Sequence, residues 1–349
     1  MKKQYRAVKG NVAATPSRLT ASPTASIINT ASRWRAETLR EATARSLRAS
    51  FAMDLAHLTA CPICGGATSA WRTKLAGGRR YQIERCSTCS YAFVNPRPTL
   101  QALRAFYNAY GHRDADTDDA SQTPESAAQQ VRDDPHARTD TRAMMRTLQR
   151  LGSRTGKALD VGCGNGMFTL EMLQAGFDVT PLELAAHERR VAEILTGVAP
   201  KDCAFEAFED RADYQVVVMS QVLEHAFDVE QWIAKVAALL ARGGMCVIAL
   251  PNFSSVFRYA LNERDPYITP PVHLNFFNGA SLNALLGKHG LEVLQNEWIS
   301  RIPMSAFSKR LPRGARGLAA PMHAAARVAL RAIDVARLGI VVRAYARKP

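Results

Sequence analysis

Residues 158–171 read ALDVGCGNGMFTLE. A short aliphatic run ends in Asp160, glycines follow at 162, 164 and 166, and a helical pattern starts at once. This is the grammar of a strand, a tight loop and a helix, and it sets the fold class. The spacing G-x-G-x-G differs from the G-x-G-x-x-G that cradles a dinucleotide pyrophosphate. Glycine at these positions supplies left-handed dihedrals cheaply and lets a ligand approach the backbone.

Downstream, strand and helix patterns alternate. A helix is expected over 167–176, a strand over 177–183, a helix over 185–195, a strand near 203–207, a strand over 214–220, a helix over 228–241 and a strand over 245–250. Such alternation argues a parallel sheet covered on both faces, with ligand at the carboxyl edge of the strands. Glu183 closes the second strand, 23 residues after Asp160.

Two knuckles precede this domain. Cys61-Pro-Ile-Cys64 and Cys86-Ser-Thr-Cys89 are separated by 21 residues, close to the spacing of a four-cysteine zinc ribbon. With all four positions taken by thiolates no site stays open for water, so the expected zinc is structural. The competing reading of each pair is a redox dithiol.

The block as a whole resembles the class I S-adenosylmethionine (AdoMet) dependent methyltransferases with an N-terminal zinc ribbon, and is similar to the ubiquinone-biosynthesis O-methyltransferase group. The resemblance rests on the glycine loop, on MSQVLEHAFD at 219–228, on ARGGMCVIALPN at 241–252, and on His273 with Phe276 and Phe277 as a His-x-x-x-Phe segment. Asn95-Pro96-Arg97-Pro98 and the aromatic helix with Phe106, Tyr107 and Tyr110 add to it. It covers about 61–302 and 338–349.

The resemblance implies a Rossmann-like, seven-stranded, mostly parallel α/β sheet. It implies that Asp160, Gly162, Gly164 and Gly166 hold the methionine part of AdoMet, that Glu183 takes the ribose hydroxyls, and that Ser220 and Gln221 line the cofactor. Glu206 is the best match for an acid at the adenine amine, with Phe205 or Phe208 available to stack on the ring. His273 and His225 are candidate bases and Glu224 a candidate orienter. Three departures stand out: Pro181 replaces the usual Gly, Gln215 replaces an Asp at the start of the fourth strand, and the tetrapeptide of amino-methylating enzymes is absent after that strand.

The formal charge of +14 sits at the ends. Residues 1–60 carry ten Lys and Arg against three acids (+7), residues 301–349 carry eleven against Asp334 (+10), and the middle is therefore 14 − 7 − 10 = −3. A slightly acidic body speaks against a nucleic-acid stripe. No apolar run reaches the roughly 20 residues of a membrane span, so a cytoplasmic protein is expected. The Ala-, Ser- and Arg-rich residues 1–55 read as a disordered basic tail, with a transit peptide or a start at Met53 as alternatives.

The organisation expected is a ribbon and aromatic helix at 56–110, a polar linker at 111–136, and the AdoMet domain at 137–349 with a helical insertion at 303–337. In that insertion a helix from Pro321 would align Met322, Ala326, Ala329, Leu330 and Ile333, either capping the sheet or touching a membrane surface. The first function expected is O-methylation of a small-molecule, glycan or lipid-linked acceptor. An rRNA or tRNA methyltransferase and a non-catalytic scaffold are the alternatives.

Overall fold

The computed structural model describes residues 55–76, 78–103, 123–134, 138–210, 213–300 and 319–349. The basic tail, the aromatic residues Phe106, Tyr107 and Tyr110, and the first part of the helical insertion lie outside them.

The large sheet is built from β6 (Lys157–Val161), β7 (Asp178–Leu182), β8 (Tyr214–Ser220), β9 (Leu240–Pro251), β11 (Glu292–Ile299) and β12 (Val341–Arg347). Its order is β11-β12-β9-β8-β6-β7, parallel from β9 to β7 and antiparallel at β12 on both sides. Side chains alternate in strict period two. Leu159, Val161, Val217 and Met219 feed one core, and Ala158, Val216 and Val218 feed the other with Met144, Met145 and Leu148 of the helix Thr139–Arg150.

Among the described residues six strands form this sheet where seven are expected. The segment near 203–207 holds a single 3-10 turn, Phe205–Ala207, and the third strand shrinks to one bridge between Leu182 and Lys201. Pro181 supplies part of the reason. Its carbonyl accepts from Lys201 N at 2.9 Å, so it faces outward, and an ordinary residue there would also direct an N–H outward. Proline has none, so the ladder cannot extend toward residue 199, and on the other side 203–207 stand in register beyond the end of β7.

The segment expected as a polar linker also differs. Pro124–Asp133 is a helix: Thr123 accepts from Ser126 N at 3.2 Å, Pro124 occupies the first turn with Glu125, and Arg132 reaches the carbonyl of Ile194 at 2.8 Å.

A second, four-stranded sheet roofs one end of the first. Its strands are β2 (Thr68–Ala76), β3 (Arg79–Cys86), β4 (Ala92–Val94) and β10 (Asn275–Phe276), in the order β10-β4-β3-β2. The first three come from the cysteine region and the fourth from the chain between β9 and β11, with Asn275 opposite Phe93 and Phe276 opposite Ala92. One hydrophobic cluster runs through both: Cys61, Ile63, Cys86, Tyr91 and Phe93 pack in the same core as Val161, Ile248 and Phe277.

The C-terminal helix Ala319–Val335 buries Leu330 and leaves Met322, Val328 and Val335 exposed, so the expected apolar face is covered only in part. Among the described residues no helix is long and apolar enough to cross a membrane.

Candidate active site

The glycine loop follows β6 at the carboxyl edge of the sheet. Gly162, Gly164 and Gly166 all have positive φ (62°, 52° and 80°), which explains three glycines in five residues. They differ in surroundings. A Cβ on Gly162 would stand 2.7 Å from Val222 Cγ2, and one on Gly166 would stand 2.9 Å from Ala192 Cβ. A Cβ on Gly164 would meet nothing within 4 Å, because this residue fronts open space.

Two carboxylates frame that space. Asp160 is 1% exposed and accepts from Thr169 Oγ1 at 2.7 Å. Burial pushes its pKa up to about 6, and the nearby charge of Glu183 adds to the rise while Thr169 opposes it. Glu183 accepts from Gly164 N at 2.9 Å with one oxygen and from Ala185 N at 2.8 Å with the other. A buried carboxylate without a basic partner, beside a loop that offers bare backbone, fits a ligand that brings its own positive charge.

Ser220 ends β8, and Gln221 adopts a positive φ of 59° while its N–H donates to Ala249 O at 2.7 Å. Val222 then covers Gly162, and the 3-10 turn Leu223–His225 follows directly. Chain connectivity thus sets the histidine turn against the glycine loop.

His225 and His273 come together, with ring centroids 4.8 Å apart at 70°. Nδ1 of His225 lies 3.0 Å from Val272 O, and Nδ1 of His273 lies 2.7 Å from Tyr267 O. A carbonyl only accepts, so each Nδ1 carries a proton and donates it there. Glu224 does not orient either ring. It is 2% exposed, neither oxygen has a hydrogen-bond partner, and burial drives its pKa up to about 8. One ligand atom from each of Glu224, His225 and His273 falls within 4.8 Å of the others, a spacing that a divalent cation could bridge.

Glu206 stands apart. The 3-10 turn that carries it is fixed by Lys235, whose Nζ binds the carbonyls of Phe205 and Glu206. Phe205 packs edge-on against Trp232 at 5.2 Å and Phe208 is buried beneath Lys201, so neither ring is available for stacking on a ligand.

The four ribbon cysteines converge. Cys61 Sγ lies 3.6 Å from Cys89 Sγ, Cys64 Sγ lies 3.5 Å from Cys86 Sγ, and all four sulfurs fall within 4.8 Å of one another. Tetrahedral zinc at about 2.3 Å from each sulfur requires about 3.8 Å between sulfurs, so the cradle has the right size. Backbone N–H groups of Thr88 and Cys89 point at Cys86 Sγ. Burial works against ionisation of the Cys86 thiol, yet these amides and the Cys64 thiol bring its pKa down to about 7.

Residues 136–296 match a family model described as a methyltransferase domain. Together with the strand order and the glycine loop, this gives residues 136–296 the character of a methyltransferase domain. The ubiquinone biosynthesis O-methyltransferase of Bordetella avium is 36% identical over 109 residues, which is 29% of this chain and 45% of that protein. That of Photorhabdus laumondii is 35% identical over 106 residues, 28% and 44% respectively. The chain thus spans less than half the length of these curated relatives. Among solved structures, the N-methyltransferase NodS from Bradyrhizobium japonicum aligns with 12% identity and a TM-score of 0.43, covering 65% of this chain and all of that one.

Several residues that build this candidate site were not legible in the sequence. Asn275 sits inside the His-x-x-x-Phe segment, and its amide donates to the carbonyls of Leu223 (3.4 Å), Glu224 (3.2 Å) and Ala226 (2.7 Å). Arg97 of the N-P-R-P turn is 4% exposed and donates to Phe227 O at 2.6 Å. An asparagine between apolar residues, and an arginine between prolines, were the available signals.

Proposed function

We propose that this protein is an AdoMet-dependent O-methyltransferase acting on a small-molecule or lipid-linked acceptor, with a structural zinc in its ribbon. The observation that carries the reading is the juxtaposition of two imidazoles, each with its Nδ1 proton committed to a carbonyl, beside a glycine loop flanked by Asp160 and Glu183.

Asp160, the glycine loop and Glu183 would hold AdoMet. Bound there, it would supply a methyl group on a cationic sulfonium. Asp160 would face the cationic end and Glu183 the ribose hydroxyls, exchanging its loop amides for ligand hydroxyls. The protein's remaining task is to position a hydroxyl and remove its proton. An imidazole, that of His273 or His225, would take it, and the carbonyls of Tyr267 and Val272 would stabilise the ring once charged. The four cysteines would hold zinc.

Three measurements test this. Incubation with methyl-labelled AdoMet and an extract lacking the enzyme should place enzyme-dependent label in the lipid or small-molecule fraction, whereas nuclease-sensitive label would overturn the acceptor class. His273→Ala should abolish turnover while S-adenosylhomocysteine (AdoHcy) binds as before, and retained turnover would remove His273 from the mechanism. Elemental analysis should find zinc, and its absence would sink the ribbon reading.

A second reading has one observation in its favour, the partnerless carboxyl of Glu224 beside two imidazoles. A divalent cation there would lower the pKa of a coordinated acceptor hydroxyl. In that case the protein would take up a second metal ion per chain, and Glu224→Gln would lose it while keeping the ribbon zinc.

A further inference from the structure

Behind His273 lies a cavity walled by Glu224, Phe253, Arg258, Asp265, His273 and Phe276. It opens between the large sheet and the ribbon sheet, because Phe253 and Phe276 share a core with Tyr81, Ile83 and Val94. One of its walls carries a charge that needs explaining.

Arg258 belongs to the short helix Val256–Leu261, whose N-cap Ser255 accepts from Arg258 N at 3.1 Å. The residue is only 6% exposed. Its guanidinium lies 3.6 Å over the Tyr259 ring and 4.9 Å from that of Phe253, with Trp71 of the ribbon at 5.9 Å. Nε donates to Phe253 O. Among the described residues no carboxylate forms an ion pair with it. The Asp265 carboxylate acts on it electrostatically and spends one oxygen on Tyr267 N at 2.9 Å.

A buried guanidinium normally has an anion opposite it, because desolvation alone costs several kcal/mol and ring stacking returns only about 1–2. Arg258 has the rings, while the Asp265 carboxylate acts on it only from beyond ion-pair distance. The planar fork of donors and flanking aromatic faces fit a carboxylate or phosphate on a flat, apolar ligand.

We propose that Arg258 is the acceptor-anchoring residue of this enzyme: the methyl acceptor carries an anionic oxyacid group that docks on Arg258 while its hydroxyl reaches the histidine pair. This rests on the methyltransferase reading above. The ribbon then contributes to acceptor choice directly, since Trp71 helps hold the guanidinium in place. Neutral acceptors of the same shape would leave the charge unpaired and be rejected.

The test is calorimetric titration of the full chain, zinc loaded, with and without saturating AdoHcy. The probes are 3,4-dihydroxybenzoate against catechol, and phenyl phosphate against phenol. We expect at least tenfold tighter binding of one anionic probe than of its neutral partner, the preferred pair telling carboxylate from phosphate. Arg258→Lys should erase most of that preference while keeping the charge, and Arg258→Met should erase all of it, with AdoHcy affinity unchanged in both. Equal affinities for anionic and neutral probes, or a preference that survives Arg258→Met, would overturn the proposal. Failure of the wild-type chain to bind AdoHcy would instead sink the methyltransferase reading, and the probe titrations without AdoHcy would still decide Arg258.

Discussion

The phenol of Tyr91 donates to Oδ1 of Asn275 at 2.5 Å, across 184 residues of chain. Tyr91 stands two residues beyond the last ribbon cysteine, and Asn275 in turn binds three carbonyls around Glu224 and His225. Arg97 grips Phe227 just downstream. The turn that carries His225 is therefore held from the ribbon side at both ends.

Removing one end of that link should show in kcat. Tyr91→Phe leaves Asn275 Oδ1 buried without its donor and should cost about 1–3 kcal/mol in chemical denaturation. Asn275→Ala strips the partners of three carbonyls and should cost more. In both variants kcat should fall while AdoHcy affinity, measured by calorimetry, stays within twofold, since neither residue approaches the glycine loop. Equal losses in AdoHcy binding and kcat would show a general loosening of the fold instead.

The three loop glycines should separate by function. Gly164→Ala meets open space, so its folding cost is about 1–2 kcal/mol for a side chain in the left-handed region. Its Cβ would occupy the ligand's approach, and AdoHcy binding should drop at least tenfold. Gly166→Ala pays the same dihedral cost plus a collision with Ala192, about 2–4 kcal/mol together. Thermal melts and calorimetry on the two variants should rank them in opposite order.

Asp160 makes the ligand-free protein sensitive to pH. Its carboxyl titrates near 6 when folded and near 3.8 when free, so the folded state holds the proton more tightly. The stability this provides is complete below pH 3.8 and is lost as pH rises through about 6. Asp160→Asn should therefore stabilise the ligand-free protein at pH 7 by about 1–3 kcal/mol, with the gain vanishing near pH 4. The same variant should bind AdoHcy more weakly. In wild type below pH 6, AdoHcy binding should release protons, seen as a calorimetric enthalpy that varies with buffer.

Metal removal should act on the whole chain. A free-standing ribbon would melt alone on chelation and leave the body intact. Here Cys61 and Cys86 share a hydrophobic cluster with Ile248 and Phe277, and β10 completes the ribbon sheet. We expect stripping of zinc, or Cys89→Ser, to lower a single cooperative melting transition and to reduce turnover. Two resolved transitions, with the larger unmoved, would contradict this coupling.

The glycine loop, the central strands and the cysteine cradle were legible because each is a local pattern. Strand β8 falls at 214–220, where its run of Tyr and Val predicts it, and the four sulfurs meet as the C-x-x-C spacing requires. The third strand was misread because 203–207 stand in register beyond the end of β7, where a helix has begun and no strand remains to pair with. Phe205 and Phe208 looked free to stack because sequence shows an aromatic residue and hides what it packs against. Asn275, Tyr91 and Arg258 acquire their roles from partners distant in sequence, and no window of residues contains that information.

The borrowed strand has a consequence for synthesis. At about 5–20 residues per second, Asn275 leaves the ribosome roughly 10–40 s after Tyr91. For that interval the edge of β4 has no neighbour, and the apolar faces of Phe93 and Ala92 have nothing to cover them. Zinc capture by the cysteines needs no later residue and can pin the hairpin early. The nascent chain thus waits with a sticky, half-finished sheet, a stage at which chaperone binding or aggregation competes with maturation.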